Sequence, residues 1–385
     1  MSAARLFLTG DADELQRVLA TCTFTRMTPE RASYLVAFLR EGPAFLDNGG
    51  ALRVGVAIAG GSVLPLVISD GKSDQCYLVS PYVHYVAYLI EEVKKMRPPV
   101  ASLVVRAALH TFGAASRALA FDRVVSINNW LFTTSLLQSP TTEEIADLAV
   151  LLRARFPQHA LVYRGLDLRD EPTARALQAN GFETLMHRPI LEWSPDEPHS
   201  KNSRRAVAKN LRLTEGRPFT SRPSDAPTDR EIQKIAWMYR MLYVVKHSRY
   251  NVEYNQRFFE VVTRTGINFV EFVALRDELC AFVTLCRDGE RIIPALIGYD
   301  PAVASRTASP YSAAMGCAFR LAMAEKKLLF LSTGVSLYKR RRGARETMEF
   351  EAFDVRHLPR RQQAPWLVMK RFLEAAARYV DTSDI

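Results

Sequence analysis

One order of predicted elements occurs twice along this chain: a meander of strands, then a helix, a strand, a helix and a strand. In the first half, short apolar and β-branched runs alternate with Gly and Asp turns over residues 52–79, which is typical of hairpins. The second half repeats the pattern over residues 269–298. What repeats is the order of elements and not the residues themselves. It predicts an α/β fold in which mixed sheets are flanked by helices.

Apolar periodicity and turn residues place the other elements. The predicted helices cover Val83–Met96, Thr142–Phe156, Glu171–Asn180, Asp229–Lys246, Tyr311–Lys326 and a segment around Trp366. The predicted strands, apart from the meanders, are Ala101–Arg106, Arg123–Ile127, Ala160–Gly165, Glu183–Trp193, Leu328–Ser332 and Thr347–Phe353. The composition becomes polar between Ser194 and Ser203, so we expect two domains, 1–195 and 196–385.

Composition narrows the class of protein. The chain has 385 residues, 48% of them hydrophobic and 24% charged, which fits a globular protein with a real core. It lacks a long apolar run, a leader pattern at Met1–Gly10 and any CxxC pair, and its five cysteines are scattered. We therefore expect no membrane span, no metal and a reducing, cytoplasmic compartment. The net charge of +10 predicts attraction to a polyanion of unspecified kind.

A strand–loop–helix segment at 291–326 is a candidate cofactor site. The predicted strand ends at Gly298, and the helix begins near Tyr311. The loop between them carries hydroxyl and basic side chains, Ser305, Arg306, Thr307 and Ser309. Unpaired N–H groups at a helix start bind phosphate readily, and these side chains could add contacts to a pyrophosphate. A serine-capped helix without a ligand is the alternative, and no Rossmann or Walker motif occurs.

Two basic clusters are candidate contacts for an anionic partner. Four cations, Lys339, Arg340, Arg341 and Arg342, follow the strand Leu328–Ser332 and suit a 3′-phosphate, a tRNA end or an acidic carrier. A solvated loop is the alternative. Helical spacing places Lys201, Arg205, Lys209 and Arg212 on one face. That face is either solvated or a patch that follows a nucleic-acid backbone.

Candidate catalytic residues follow from the needs of acyl transfer, which requires a base near the nucleophile and donors for an oxyanion. His247 has an ordinary pKa suited to a base, and it lies with Tyr250 in a polar segment after an apolar helix. Tyr299 and Asp300 end the central strand of the second half, and Ser332 ends the next strand. Each also fits a purely hydrogen-bonding role. The absence of a GxSxG elbow argues against a hydrolase.

These residues carry a resemblance to a family. The matching segments in the first half are Ser80-Pro81-Tyr82 with His84-Tyr85-Val86, Asn128 to Leu131 with Thr134-Ser135-Leu136, and His159 to Arg164. Those in the second half are Leu242-Tyr243, Lys246-His247-Ser248, Gly298-Tyr299-Asp300, Ser332-Thr333-Gly334, Tyr338 to Gly343, and Arg356 to Pro359 with Trp366. Together the segments span nearly the whole chain. The chain resembles the tandem GNAT-type acyltransferase branch related to Fem aminoacyltransferases and biotin-F-like acetyltransferases.

The resemblance implies two tandem GNAT-like domains, 1–195 and 196–385, with a donor cleft in the second. It implies an acyl donor, often acyl-CoA, whose pyrophosphate would meet the loop before Tyr311. The Q/R-x-x-G-x-G/A turn of ordinary GNAT enzymes is absent, and residues 304–310 read ASRTASP instead. This departure leaves room for an aminoacyl-tRNA or a carrier-bound acyl group as the donor.

We therefore expect an N- or O-acyltransferase that moves an acyl or aminoacyl group from a thioester or ester donor to a small metabolite. In this hypothesis His247 is the base, and the run Lys339–Arg342 and the helix start near Tyr311 hold donor phosphates. An acyl or peptidyl carrier protein is a further possible partner. The alternative is a GNAT-like protein that binds tRNA or a carrier without catalysis.

Overall fold

The structure is a computed structural model that describes residues 4–71, 76–94, 99–167, 171–215, 218–224, 226–304 and 309–381. Its strands are β1 Arg5–Leu8, β2 Leu52–Ala59, β3 Ser62–Asp70, β4 Arg123–Ile127, β5 Ala160–Leu166, β6 Glu183–Trp193, β7 Thr220–Ser224, β8 Phe269–Leu275, β9 Glu278–Asp288, β10 Arg291–Tyr299, β11 Leu328–Ser332 and β12 Arg345–Asp354.

The α-helices are α1 Ala12–Thr21, α2 Pro29–Glu41, α3 Tyr88–Val93, α4 Pro99–Ala118, α5 Thr142–Arg155, α6 Glu171–Ala179, α7 Lys201–Arg212, α8 Asp229–Arg240, α9 Gln256–Arg264, α10 Pro301–Ala304, α11 Pro310–Glu325, α12 Ser336–Arg340 and α13 Arg360–Asp381. Two π-helical turns, Val83–Ala87 and Met241–Val245, adjoin α3 and α8, and a 3₁₀ turn covers Gly42–Phe45.

All twelve of these strands form one sheet, in the order β1-β2-β3-β4-β5-β12-β6-β11-β10-β9-β8-β7. The two halves of the chain exchange their last strands at its centre. β12, from the second half, pairs antiparallel with β5 and β6, and β6, from the first half, pairs antiparallel with β11. The predicted mixed α/β architecture is confirmed, with both halves sharing one sheet.

Local sequence explains where the elements begin and end. Thr141 and Thr228 cap α5 and α8 in reciprocal capping boxes with Glu144 and Glu231. Gly181 follows α6 with a φ of +80°, the left-handed conformation that favours glycine after a helix. The cap of α5 is Thr141, the residue before the predicted and observed start of this helix at Thr142.

Two predicted strands are wrong. Ala101–Arg106 lies inside α4, because the apolar run continues into the alanine-rich segment 107–118, which favours a helix. Residues 77–79, predicted as part of a strand, form turns that lead into the π-helical turn. The described residues 81–93 and 99–118 are therefore a helical insertion between β3 and β4. Its buried side chains share a core cluster with α13, in which the ring centroids of Phe121 and Trp366 are 4.6 Å apart.

The core is continuous across the halves. One cluster of buried side chains joins α1, α2 and β2 to α8, α9 and the strands β8–β10. A buried ion pair crosses the same boundary: Arg31 on α2 contacts Asp288 on β9 at 2.5 Å, and Leu137 donates its N–H to that carboxylate at 3.0 Å. The neighbouring Arg291 also pairs with Asp288, and together the guanidinium groups hold the pKa of this carboxyl below its usual range.

No helix in the described part of the chain is both apolar and long enough to cross a membrane. The described residues contain no group of three or more His, Cys, Asp or Glu side chains that could hold a metal ion.

Candidate functional site

The two parallel strands of the second half part from each other soon after they meet. Along their described lengths, β10 pairs with β11 only at Arg291–Leu328 and Ile292–Leu329. Beyond Ile292, β10 stays with β9 through a bulge between Pro294 and Leu296, while β11 stays with β6. The edge of β10 over residues 293–299 therefore lacks a strand partner on the β11 side. Pro294 has no N–H and the Leu296 N–H donates to the Thr284 hydroxyl at 3.0 Å, so a donor for another partner would come from the remaining residues of this edge.

The equivalent strands of the first half stay together. β4 and β5 pair at four positions, from Val124–Ala160 to Ile127–Tyr163. Over these paired positions, β4 and β5 do not part as β10 and β11 do, so the opening described above is a feature of the second half.

Helix α11 begins at the carboxyl end of β10. Its cap is Ser309, whose hydroxyl accepts the N–H of Ser312 at 3.3 Å. Pro310 occupies the first turn, where a missing N–H costs nothing. The predicted contacts Ser305, Arg306 and Thr307 lie outside the described residues.

Three half-buried tyrosines form a row at this end of the sheet. The ring centroids of Tyr299 and Tyr311 are 6.4 Å apart, and those of Tyr311 and Tyr338 are 5.2 Å apart. A cation lies at each end: Lys246 donates from Nζ to the Tyr299 hydroxyl at 2.8 Å, and the Arg342 guanidinium lies 3.3 Å from the Tyr338 ring centre. Burial raises the pKa of Tyr311 well above its usual value, so this side chain stays a phenol.

Lys339 lies inside the protein and not on the surface of its loop. It is 4% exposed, and Nζ donates to the carbonyl oxygens of Leu331 at 2.7 Å, Ser332 at 3.3 Å and Thr333 at 2.6 Å. Ser332 has a φ of +55°, in the left-handed region. Burial lowers the pKa of Lys339 to about 7, and the positive charge of Arg188 adds to this effect. The ammonium thus ties the end of β11 to α12.

The arginines of the same run differ in their contacts. Arg340 pairs with Glu346, and Arg342 donates to Asn210 Oδ1 at 2.9 Å and to the Tyr338 carbonyl at 2.8 Å. Arg341 is exposed, and within the described residues no hydrogen bond or ion pair holds its side chain. Of these four cations, Arg341 is therefore the one best placed to meet a partner from solution.

The segment with His247 and Tyr250 is held by the other half of the chain. Buried Asn48 donates to the carbonyl oxygens of Arg249 at 3.2 Å and Asn251 at 2.7 Å, and it accepts the Glu253 N–H at 2.9 Å. These contacts join residues about two hundred positions apart in the sequence, so the first half sets the shape of this loop.

Three more contacts hold this loop and the residue after β10. Ser248 donates to Glu91 at 2.5 Å, and Tyr77 donates its N–H to the Tyr250 carbonyl at 3.0 Å. The exposed His247 lies between these anchored positions and Lys246. Asp300 accepts the Ala302 N–H at 2.9 Å, so its carboxylate starts the short helix α10.

A cavity of about 490 Å³ opens beside this loop, between the two halves. Its lining comes from both: Asn48, Tyr82, Ala87 and Arg117 of the first half, and Val244, Arg249, Tyr250 and Glu253 of the second.

A buried charged cluster at the strand exchange escaped the sequence analysis. His84 and His187 stack with ring centroids 4.4 Å apart, and His187 Nδ1 lies 3.3 Å from Glu351 on β12. Arg164 on β5 pairs with the same carboxylate at 3.2 Å. Burial lowers the pKa of His84 to about 3 and that of His187 well below its usual value, so both rings are neutral at neutral pH. The one sequence feature that could have indicated this cluster is the pair of alternate acidic residues in β12, Glu349 and Glu351.

No protein-family model matches the chain, and no curated protein matches it. Among solved structures, FemX is similar with a TM-score of 0.50 and 10% identity over 92% of this chain and 98% of that one. A tandem GNAT protein from the clavulanic acid biosynthesis pathway has a TM-score of 0.40 and 10% identity over 92% and 99%. L-PGS from Bacillus licheniformis has a TM-score of 0.44 and 11% identity over 59% and 77%. The FemX likeness shows the fold alone: the chain has a FemX-like fold along nearly its whole length.

Proposed function

We propose that the protein is an acyltransferase whose second half holds the activated donor and whose acceptor enters between the halves. The observation that carries the proposal is the parting of β10 and β11 after two residue pairs, beside the start of α11. Unpaired backbone donors at such an edge can hold a carbonyl oxygen as it becomes an oxyanion. The FemX-like fold supports the same reading.

In the proposed reaction, an amine or hydroxyl of the acceptor attacks the donor carbonyl directly. A new amide or ester bond forms, the thioester or ester bond of the donor breaks, and the donor leaves as a thiol or alcohol. The proton lost by the acceptor passes to a base, for which His247 is the candidate, and the base returns a proton to the departing thiolate or alkoxide. Tyr250, in the same loop as His247, and Tyr299, at the end of β10, are candidate polar contacts for the reactants.

We propose acyl-CoA as the donor. Its phosphates would meet the start of α11 and Arg341, because a helix start and an exposed guanidinium both favour anions. Lys339 would act indirectly in this scheme, by fixing the turn on which Arg341 lies.

A second donor, aminoacyl-tRNA, is favoured by the surface of α7. The basic residues Lys201, Arg204, Arg205, Lys209 and Arg212 are all exposed, and none has an ion pair within the described residues. The opposite, buried face of the same helix carries Asn210, which contacts Tyr338 and Arg342, so α7 packs against the tyrosine row while its basic face points to solvent. A continuous positive surface of this kind attracts a nucleic-acid backbone.

The test is a turnover assay with two donors. The protein is mixed with a pool of small amines and alcohols and either acetyl-CoA or charged tRNA, and products are followed by mass spectrometry. Acetylated product supports acyl-CoA, aminoacylated product supports tRNA, and His247→Ala should lower turnover about 100-fold or more with donor affinity unchanged. Arg205→Ala is the matched surface control for acetyl-CoA. Product from neither donor would contradict both proposed donors.

A further inference from the structure

A small polar cavity lies beside the strand exchange, and it is lined by residues that the proposed reaction does not use. Its volume is about 20 Å³. The lining comes from the segment around the first π-helical turn, from β4 and β5, and from β12. Four of the lining residues, Pro81, His84, Tyr85 and Arg164, belong to the segments that carry the family resemblance. The other polar lining residues are Tyr77, Ser126 and Glu351.

Arg164 on β5 has a buried donor for which the described residues offer no acceptor. Its side chain is 6% exposed, and Nε donates to Glu351 Oε1 at 3.2 Å. Its Nη1 is buried and has no hydrogen-bond partner within the described residues. A buried charged donor without an acceptor is costly, so most such groups in proteins bond to a protein group or an ordered water. An acceptor is therefore expected beside Arg164 Nη1.

The charges around the cavity balance, which favours a neutral ligand. Two arginines, Arg164 and Arg188, pair with two carboxylates, Glu351 and Glu349. Glu351 also accepts from the Tyr85 hydroxyl at 2.8 Å, so each of its oxygens has a donor. The stacked histidines beside these groups are neutral, because burial lowers the pKa of both rings. An additional ion would lose its hydration here without gaining a counter-charge.

Size and hydrogen bonding select water as the ligand. A cavity needs about 10–15 Å³ and two to four polar partners to hold one water molecule. The observed volume of about 20 Å³ meets this requirement and is far below that of a pocket for an organic ligand. Ser126 on β4 is 5% exposed and lines the same cavity, and its hydroxyl can donate or accept. Arg164 and Ser126 thus provide two partners.

We infer that this cavity binds one ordered water molecule, which accepts from Arg164 Nη1 and hydrogen-bonds to the Ser126 hydroxyl. Tyr77 lines the same cavity, and its N–H donates to the Tyr250 carbonyl at 3.0 Å. The water therefore supports Tyr77, whose backbone holds the loop that carries His247. The importance of this support for catalysis depends on the proposed transferase function, whereas the water site does not.

A crystal structure of the full chain, at a resolution that shows ordered water, tests the site. The inference predicts density within hydrogen-bond distance, about 2.5–3.2 Å, of both Arg164 Nη1 and Ser126 Oγ. Crystals grown with bromide as the anion distinguish water from a halide, because bromide gives an anomalous signal. An anomalous peak in the cavity would overturn the inference. So would an Arg164 Nη1 that bonds to a protein oxygen with no density beside it.

Ser126→Val should displace the water, because it removes one partner and places a methyl group in a cavity of this size. Amide hydrogen exchange measures the effect on the loop, and the Tyr77 N–H should exchange about ten-fold faster. The Asn129 N–H, which donates to the Pro65 carbonyl at 3.1 Å, is the internal control and should not change. Ser126→Ala leaves the space open, so the water should remain on Arg164 and Tyr77 should exchange as in the wild type.

Density that persists in the cavity of Ser126→Val would overturn the proposed site. Unchanged exchange at Tyr77 after the water is lost would reject its support of the loop. Melting curves verify the folding of both variants, and wild-type crystals test the site even where Ser126→Val does not fold. Neither measurement needs turnover, so a failure to find acyl transfer would leave the water site standing.

Discussion

The internal position of Lys339 changes what the basic run 339–342 can do. From the sequence, four consecutive cations predicted a surface for donor phosphates. In the structure, the first holds three carbonyl oxygens, the second and fourth have protein partners, and Arg341 is exposed. The net charge of such a run can be read from the sequence. The direction of each side chain depends on the backbone conformation of the run, which the sequence pattern does not specify.

Replacing Lys339 with Met should destabilise the protein by about 1–3 kcal/mol, because three carbonyl oxygens at the end of β11 lose their donor. Urea unfolding measures the change. Arg341→Met, two residues away and exposed, is the control and should stay within about 0.5 kcal/mol. Equal stability of the two variants would show that the ammonium holds nothing.

The stacked histidines predict a dependence of stability on pH. His84 titrates near pH 6.5 when unfolded, whereas burial brings its pKa to about 3 in the fold. Between these values the unfolded chain binds a proton that the folded chain does not, so stability falls as pH decreases. The charged neighbours that face this pair are Arg164, Arg188, Glu349 and Glu351.

The variant His84→Phe should lack the part of the pH dependence of stability that comes from His84. The difference in unfolding free energy between wild type and variant should change by about 1.4 kcal/mol for each pH unit below 6.5. Urea titrations at two acidic pH values provide the measurement, with His110→Phe on the exposed face of α4 as control. Parallel pH profiles for wild type and His84→Phe would contradict neutral burial of the ring.

At the scale of elements, the strands and helices of the two repeats were largely predictable, whereas their partners were not, and β1, α1, α2, β7 and α9 were not predicted. Alternation identified β6 and β12 as strands, yet it carries no information on which strand lies beside them. The exchange of β6 and β12 was therefore invisible in the sequence. The helix α4 was misread because its β-branched start, Val104 and Val105, matches a strand over a short window.

The crossing of α7 and α11 depends on Gly316. A Cβ there would lie 2.5 Å from the Asn210 carbonyl oxygen, which is backbone and cannot rotate away. Gly316→Ala should thus cost about 1–3 kcal/mol, although alanine usually favours a helix interior over glycine. It should also weaken donor binding, since Asn210 orients Tyr338 and Arg342. Thermal unfolding and donor titration test both effects against Met323→Ala, and an equally stable alanine variant would contradict the close approach.

At the scale of the whole molecule, the shared sheet brings together candidate residues that lie in separate segments of the sequence. Tyr299, Tyr311 and the run after β11 were each singled out, and the fold brings them into one row. The supports supplied by Asn48 and Glu91 were missed, because they cross between the halves. No local pattern predicts contacts between residues so far apart in the chain.

The strand exchange predicts that residues 1–195 do not fold alone. Without β12, neither β5 nor β6 has its central partner, and Trp366 no longer covers Phe121. We expect the fragment to show no cooperative thermal transition, whereas co-expression with 196–385 should restore a complex. The intact chain should unfold in one transition. A cooperatively folded 1–195 fragment would contradict this account and support two independent domains.

The proposed donor site lies in the second half, where β10 and β11 part. Hydrogen exchange of the intact protein, with and without acetyl-CoA or charged tRNA, measures this most directly. The account predicts slower exchange at residues 293–299 and at the start of α11, with no change at 124–127 of β4. Protection confined to the first half, or no protection with either donor, would contradict it.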